Sequence, residues 1–161
     1  MFLLQLPPFS PLSFAGVRSS INYMTSAQAN PVRILIADDH ELMRRGLRSI
    51  LATRPDWEVC GEAVDGSEAI EKTKLLHPDI LVLDISMPRV NGLEVARAVR
   101  RDHPQTQVII LSQYDESEMR PYAIEAGARG YVSKAEASRQ LLTAIESLLT
   151  TKTGAGQPQS N

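Results

Sequence analysis

Several features that would indicate a particular class of protein are scarce in this chain. It has one cysteine, Cys60, so no intramolecular disulfide can form, which fits a reducing cytoplasm. We interpret Cys60 as a buried thiol that packs like a small hydrophobic residue. Aromatic residues make up 5% of the chain, so the core must be aliphatic. The net charge of -2 argues against a surface devoted to nucleic acid, and no apolar run is long enough to span a membrane.

The remaining composition fits one globular domain with distinct ends. Hydrophobic residues form 43% of the 161 residues, enough for a core. Residues 1–30 contain no acidic residue and only one basic residue, Arg18, and they match a signal peptide poorly. We expect them to be a disordered extension or a segment upstream of a true start at Met24. Residues 150–161 are predicted to be a flexible tail, too short for an output domain, which leaves residues 31–149 as the domain.

Short apolar runs alternate with helix-like segments along this domain. Near-continuous apolar runs of this length are typical of parallel strands buried on both faces. The clearest runs are residues 32–37 before Asp38, residues 80–83 before Asp84, residues 108–111 before Ser112 and residues 130–133 before Lys134, and residues 58–63 form a weaker one. The spacing of apolar residues predicts helices over residues 41–53, 66–76, 93–101, 115–126 and 136–149.

Local signals refine these helices. Asp39 or His40 is positioned to cap the first helix, whose apolar face is predicted to include Leu42 and Leu47. The second helix has Leu75 among its apolar residues. Gly127 is a candidate for the residue that ends the fourth helix.

The alternation predicts an α/β fold with a doubly wound, five-stranded parallel sheet in the order 2-1-3-4-5 and helices on both faces. In such sheets ligands bind at the carboxyl ends of the strands, where the strand order reverses. This order makes Asp38, Asp39 and Asp84 neighbours and places Ser112 and Lys134 at the same edge. The sequence therefore predicts a charged site at one end of the sheet.

Three converging carboxylates need compensation by protonation, by a lysine or by a cation. A hard divalent ion such as Mg²⁺ suits oxygen ligands of this kind. The chain has no GxxxxGK[ST] loop, so nucleotide binding is not the obvious use. A carboxylate beside a divalent cation can instead accept a phosphoryl group as an acyl phosphate. Lys134 and Ser112 are then available to pair with the oxygens of the transferred group.

Four fragments, in this order and spacing, resemble the receiver domain of two-component response regulators. They are Ile34-Leu-Ile-Ala-Asp38-Asp39-His40, Leu81-Val-Leu-Asp84-Ile-Ser-Met87-Pro88-x-x-x-Gly92, Leu111-Ser112 and Gly130-Tyr131-Val-Ser-Lys134. The resemblance covers residues 32–149 and implies a flavodoxin-like (CheY-like) fold. The openings Ala-Asp-Asp-His and Gly-Tyr-Val-Ser-Lys look like receivers that are joined to a LuxR-type DNA-binding domain.

The resemblance also implies a role for each site residue. Asp84 corresponds to the phosphoacceptor, and Lys134 to the residue that contacts the phosphoryl group. Asp39 corresponds to a direct Mg²⁺ ligand, Asp38 to a ligand acting mainly through water, and the backbone carbonyl of Ser86 to a further ligand. Ser112 corresponds to the switch hydroxyl and Tyr131 to the switch aromatic. The Lys134–Ala135 bond is expected to be cis, and His40 to cap a helix or support the site rather than carry phosphate. Two residues depart from the family pattern, Gln113 and Asn91. Two others, Ser86 and Tyr114, occupy positions that vary within the family, so the resemblance does not predict the lifetime of the phosphoryl group.

The implied function is phosphoacceptance from a histidine kinase or phosphotransfer protein, followed by a change on the face formed by the fourth helix, fifth strand and fifth helix. That face is expected to bind a downstream protein or a second copy of the chain, with no membrane partner and no nucleic acid bound by this chain alone. One alternative is the truncated receiver half of a DNA-binding regulator. Another is an Mg²⁺-dependent phosphatase, although Ser86 stands where that class has its acid/base carboxylate.

Overall fold

The computed structural model describes the backbone of residues 30–154 and the side chains of residues 30–151. The predictions for residues 1–29 and 155–161 lie outside this range. Within it, no helix is both long enough and apolar enough to cross a membrane.

Five parallel strands form the centre of the fold. Their order, β2-β1-β3-β4-β5, confirms the predicted topology. The strands are β1 (Val32–Ala37), β2 (Trp57–Ala63), β3 (Ile80–Asp84), β4 (Gln107–Ser112) and β5 (Gly130–Ser133). All five residues of β3 are buried, as expected for a central strand covered by helices on both faces.

Helices cover both faces of the sheet. They are α1 (Glu41–Leu51), α2 (Gly66–Leu76), α3 (Gly92–Asp102), α4 (Glu116–Ala126) and α5 (Ala137–Gly154), with a 3-10 turn at Lys134–Glu136 before the last. One core layer joins the sheet to α2, α3 and α4 through residues such as Ala69, Val95 and Ala123. The other joins it to α1 and α5 through Leu47 and Leu141. Alternate residues of each buried strand serve opposite layers.

Side-chain caps fix the starts of three helices at the carboxyl edge of the sheet. Asp65 accepts a hydrogen bond from the Glu68 N–H at the start of α2, and Asn91 forms a reciprocal capping box with Glu94 at the start of α3. Asp115 accepts from the Ser117 N–H at the start of α4. Gly127 ends α4 with a φ of 106°, as its sequence position predicted.

The cap predicted for α1 is partly wrong. His40 occupies the N-cap position, but its side chain makes no capping hydrogen bond. Its ring lies beside Asp38 and Asp39 instead, with Nδ1 3.2 Å and 2.9 Å from one oxygen of each carboxylate. The nearby carboxylates therefore orient the imidazole away from the helix N–H groups.

Two leucines predicted among the apolar residues of helices lie in solvent. Leu42 in α1 is 80% exposed and Leu75 in α2 is 74% exposed. At about 100° per residue, Leu42 lies roughly 140° around the helix from the buried Leu47. The adjacent Leu76, rather than Leu75, packs against the core layer between the sheet and α2, α3 and α4.

The last helix is longer than predicted, because α5 continues through residues 150–154 of the expected flexible tail. The last described side chains of α5 form hydrogen bonds to carbonyl groups of the same helix. The Thr150 and Thr151 hydroxyls donate to the carbonyls of Glu146 and Ser147, at 2.6 Å and 2.7 Å. Such bonds to the preceding turn give the threonine hydroxyls a partner within the helix.

Candidate functional site

The carboxyl ends of β1 and β3 bring two buried carboxylates together. Asp38 follows β1 and Asp84 ends β3, and each residue is only 1% exposed. Lys134, the first residue after β5, extends between them. Its Nζ atom lies 2.8 Å from Asp38 Oδ2 and 3.0 Å from Asp84 Oδ2. The sequence prediction that these three residues share one edge of the sheet agrees with this geometry.

Burial and the neighbouring charges shift the pKa values of Asp84 and Lys134 in this cluster. Burial raises the pKa of Asp84, against the opposing effect of the Lys134 ammonium, and the nearby Asp38 carboxylate raises it further. Burial alone would lower the pKa of Lys134, but the Asp38 and Asp84 carboxylates outweigh it and the net shift is upward. One ammonium thus serves two carboxylates.

Three oxygens in the cluster have no hydrogen bond of good geometry from the described residues: Asp38 Oδ2 and both oxygens of Asp84. The Lys134 contacts with them are ion pairs by distance only. Buried carboxylate oxygens without donors are costly, so this is a place where a further cation or hydrogen-bond donor is needed.

Asp39 and His40 complete an acidic cluster that can hold a metal ion. One ligand atom from each of Asp38, Asp39, His40 and Asp84 lies within 4.8 Å of the others. Asp39 is 32% exposed on its side chain, so the cluster opens toward solvent on that side. Carboxylate oxygens in this arrangement, some without a hydrogen bond of good geometry, fit a hard divalent cation such as Mg²⁺.

Arg44 supports the loop that carries the two adjacent aspartates. Its Nη1 donates to the backbone carbonyl of Asp38 at 2.9 Å, and its Nε donates to Glu62 of β2, also at 2.9 Å. This contact is not predictable from the sequence, because an arginine at this position of an amphipathic helix has the pattern of a solvated residue. No local sequence signal distinguishes the two.

The predicted switch residues lie beside the cluster and are joined through Tyr114. Ser112 is fully buried, and its Oγ accepts a hydrogen bond from the Tyr114 N–H at 3.1 Å. Tyr131 is 8% exposed, and its hydroxyl donates to the Tyr114 carbonyl at 2.9 Å. The Tyr131 ring is therefore turned inward, and the Ser112 hydroxyl interacts with the loop backbone rather than with Asp84.

Two of the positions that depart from or vary within the family pattern also meet near the site. The Ser86 hydroxyl lies 3.2 Å from the Tyr114 hydroxyl, so these side chains bridge the loops after β3 and β4. Gln113 is exposed. Asn91 caps α3 as an aspartate would, so this change preserves the local structure.

Two further predictions are settled by the backbone and by Cys60. The expected cis bond between Lys134 and Ala135 is wrong: residues 30–154 contain no cis peptide bond. The trans form is intrinsically favoured at a non-proline residue, and Lys134 contacts both carboxylates from it. Cys60 is only partly buried, with Sγ 3.4 Å from the Ile34 carbonyl, and burial raises the pKa of its thiol.

Comparison with known proteins assigns this arrangement to a family. The response regulator receiver domain matches residues 34–146. The chain belongs to this family. The receiver identity, the CheY-like fold and the general signalling function predicted from the sequence are thereby confirmed.

Among similar proteins, the nitrate/nitrite response regulator protein NarP of Escherichia coli is 42% identical over 118 residues, covering 73% of this chain and 55% of that protein. The transcriptional regulatory protein DegU of Brevibacillus brevis is 36% identical over 117 residues, covering 73% of this chain and 50% of that protein. The receiver spans about half the length of these relatives. The signal receiver domain of the putative regulator NarL from Mycobacterium tuberculosis superposes with a TM-score of 0.70 at 34% identity, covering 74% of this chain and 97% of that domain.

Proposed function

We propose that this receiver accepts a phosphoryl group on Asp84 from a histidine kinase or phosphotransfer protein. The observation that carries the proposal is the Asp84 carboxylate itself. It is buried at the end of the central strand, neither of its oxygens receives a hydrogen bond of good geometry from the described residues, and a lysine and a second carboxylate lie beside it. An aspartate with only a structural role would be expected to have its acceptors satisfied.

In the transfer, an Asp84 oxygen forms a bond to phosphorus as the bond from phosphorus to the donor histidine nitrogen breaks. The imidazole leaves with the electron pair and takes up a proton. Lys134 is close enough to Asp84 to pair with an oxygen of the arriving phosphoryl group. Such a transfer depends on alignment and charge stabilisation rather than on acid–base chemistry.

We assign the Mg²⁺ ligands to Asp38, Asp39, Asp84 and the backbone carbonyl of Ser86. Bound Mg²⁺ supplies neutralisation of the negative charge shared by these carboxylates and the phosphoryl oxygens. The oxygens of Asp38 and Asp84 that lack a hydrogen bond of good geometry support this assignment. His40, in contact with both neighbouring aspartates, orients their carboxylates.

We further propose that the phosphoryl group draws the Ser112 hydroxyl away from the Tyr114 N–H, and that the loop after β4 and Tyr131 shift with it. Tyr114 supports this coupling, because its backbone is hydrogen-bonded to both residues. The change would alter the face formed by α4, β5 and α5, where Tyr122 and Ile124 are exposed. Phosphorylation then biases an existing equilibrium between two conformations.

The proposed partner of that face is a downstream protein or a second copy of the chain, in the cytoplasm. The alternative output is a DNA-binding domain outside this sequence. The relatives favour this alternative, since DegU is called a transcriptional regulatory protein and the receiver matches only half of it. In either case the activity is self-phosphorylation from a donor and hydrolysis of the product, rather than turnover of a separate substrate.

Intact-mass spectrometry after incubation with acetyl phosphate and Mg²⁺ tests the proposal. We expect one phosphoryl adduct on the wild-type chain and none on Asp84→Ala. Asp102→Asn, which changes an exposed carboxylate at the opposite end of the sheet, should retain the adduct. An adduct that persists in Asp84→Ala would refute the assignment of the acceptor. Sustained turnover of a generic phosphomonoester would instead favour a phosphatase.

A further inference from the structure

The loop between β3 and α3, residues 85–91, is tied to the start of α2 by a contact that phosphoacceptance as described does not use. Asp65 directly precedes α2, and its Oδ1 accepts the Glu68 N–H at 2.9 Å. Its other oxygen, Oδ2, forms an ion pair with Nη1 of Arg89 in the loop. The Asp65 side chain is 6% exposed while that of Arg89 is 69% exposed, so a solvated arginine covers a buried carboxylate.

The backbones of the same two segments are in direct contact. A Cβ atom added to Gly66 would lie 1.9 Å from the Val90 carbonyl oxygen and 2.8 Å from Val90 Cβ. Only a glycine allows the loop to lie this close to the first turn of α2. The ion pair and the glycine therefore hold the loop at neighbouring points.

Arg89 occupies an unfavourable backbone conformation for a side-chain-bearing residue. Its φ of 69° lies in the left-handed region, where residues other than glycine and asparagine are uncommon. Such residues persist where the surrounding structure over-determines them. The ion pair with Asp65 is the described contact of the Arg89 side chain that holds it there.

The two ends of the loop are anchored close to the phosphoacceptor. The Gly92 N–H donates to the Ile85 carbonyl at 2.9 Å, and a Cβ atom on Gly92 would lie 2.1 Å from the Asp84 carbonyl oxygen. Ser86 lies within this short, closed loop. Its backbone position therefore depends on how the loop is anchored, by the bond from Gly92 to Ile85 that closes it and by the contact of Arg89 with Asp65.

We propose that Asp65 and Arg89 are a positioning pair that holds the β3–α3 loop in the conformation that binds the divalent cation. The inference rests on the function proposed above, because Ser86 is a ligand only if the cluster binds a metal ion. The pair acts through the loop backbone and touches neither the cation nor the phosphoryl group. Loss of the pair should weaken cation binding while leaving the acidic cluster intact.

The test measures Mn²⁺ binding to the unphosphorylated protein, followed by the loss of the free-ion signal in electron paramagnetic resonance. Asp65→Asn removes the charge but retains an N-cap residue, so α2 should keep its start. Arg89→Gly removes the ion pair and relieves the left-handed backbone, and Arg89→Lys keeps the charge. Glu146→Gln is the matched control, because it breaks an ion pair with Arg54 at the far end of the sheet.

We expect Asp65→Asn and Arg89→Gly to weaken Mn²⁺ binding about tenfold, the lower end of what loss of outer ligand-supporting contacts costs. Arg89→Lys should recover most of the affinity, and Glu146→Gln should match the wild type. The Val90 and Gly92 amides, hydrogen-bonded within the loop, should exchange faster in the two weakened variants.

The remaining outcomes separate this inference from the proposed function. Wild-type affinity in both Asp65→Asn and Arg89→Gly would overturn the positioning pair while leaving the metal site in place. Equal weakening in Glu146→Gln would also overturn it, because the effect would then be general destabilisation. Failure of the wild-type chain to bind Mn²⁺ would instead count against the proposed function itself.

Discussion

The two halves of the sheet edge are held in different ways. On the side of the proposed phosphoryl transfer (the reaction side), Asp38 and Asp84 are buried at the ends of β1 and β3, and the partly buried Lys134 after β5 pairs with both. On the side of the proposed switch (the readout side), Ser112 and Tyr131 are buried. Both are hydrogen-bonded to the backbone of the exposed Tyr114, in the loop between β4 and α4. The reaction side thus has two buried carboxylates held by a shared ion pair, whereas the readout side depends on single hydrogen bonds to a loop backbone.

The helices that flank these two sides show the same difference. α3 begins with a reciprocal capping box, has arginines in its last turn and buries Val95, Ala96 and Val99. α4 contains Pro121, has no basic residue in its last turn and buries only Ala123 and Ala126. Segments with few buried contacts open at lower free energy than the core. The proposed reaction therefore lies beside the helix with more buried contacts, and the proposed switch lies beside the helix with fewer.

The largest expected effect comes from removing the cation of the reaction side. Lys134→Met leaves the Asp38 and Asp84 carboxylates buried together, so we expect the free energy of unfolding to fall by about 3 kcal/mol without Mg²⁺. Adding Mg²⁺ should restore part of the loss. Urea unfolding with and without Mg²⁺ measures both. An unchanged midpoint in metal-free buffer would show that the reaction side is not under electrostatic strain.

A smaller effect of opposite sign is expected when one carboxylate is removed. Asp84→Asn leaves one lysine facing one aspartate, so metal-free stability at neutral pH should rise by about 1–2 kcal/mol. Because burial raises the pKa of Asp84 in the folded state, the ionised form destabilises the wild type. The advantage of the variant should be greatest above the folded pKa and disappear as the pH falls through it toward the ordinary value of 3.8.

Thermal or urea unfolding of the two proteins across this pH range measures that difference. Asp102→Asn, at an exposed position, serves as the control and should give no such pH-dependent gain. A gain that is constant with pH would contradict the electrostatic explanation.

The smallest expected effect lies on the readout side. Pro121 has no N–H for the Ser117 carbonyl, so Pro121→Ala should complete the α4 hydrogen-bond pattern and add about 1 kcal/mol of stability. Amide exchange in α4 should slow, reducing the contrast with α3. Arg97→Ala, at an exposed position of α3, controls for a surface change to alanine. Faster exchange in α4 of Pro121→Ala would contradict the comparison.

Most of the fold can be predicted from the sequence because the strands are recognisable as short runs of apolar residues. Each run of apolar residues ends at a polar residue, and the alternation with helices predicts a doubly wound parallel sheet, for which 2-1-3-4-5 is a common order. Asp38, Asp84, Ser112 and Lys134 could be located because each directly follows or ends such a run. Helix ends were harder: the Thr150 and Thr151 hydroxyls extend α5 by bonds that depend on helical geometry already being present.

The supporting contacts could not be found this way. Arg44 reaches the Asp38 carbonyl and Arg89 reaches Asp65 across different loops, so each contact exists only after the elements have packed. Leu42 shows the opposite limit, because an apolar residue at plausible helical spacing can still face solvent. Local pattern indicates which residues belong to the core, whereas arginine contacts depend on three-dimensional neighbours.

The position of Lys134 has a consequence for synthesis of the chain. Asp38 and Asp84 emerge from the ribosome before the residue that neutralises them, since Lys134 follows the last strand. A nascent chain that ends before β5 therefore has two carboxylates to bury and no ammonium between them. We expect the sheet edge to close only after the lysine has been translated, so the site is completed late in synthesis, with only α5 still to follow.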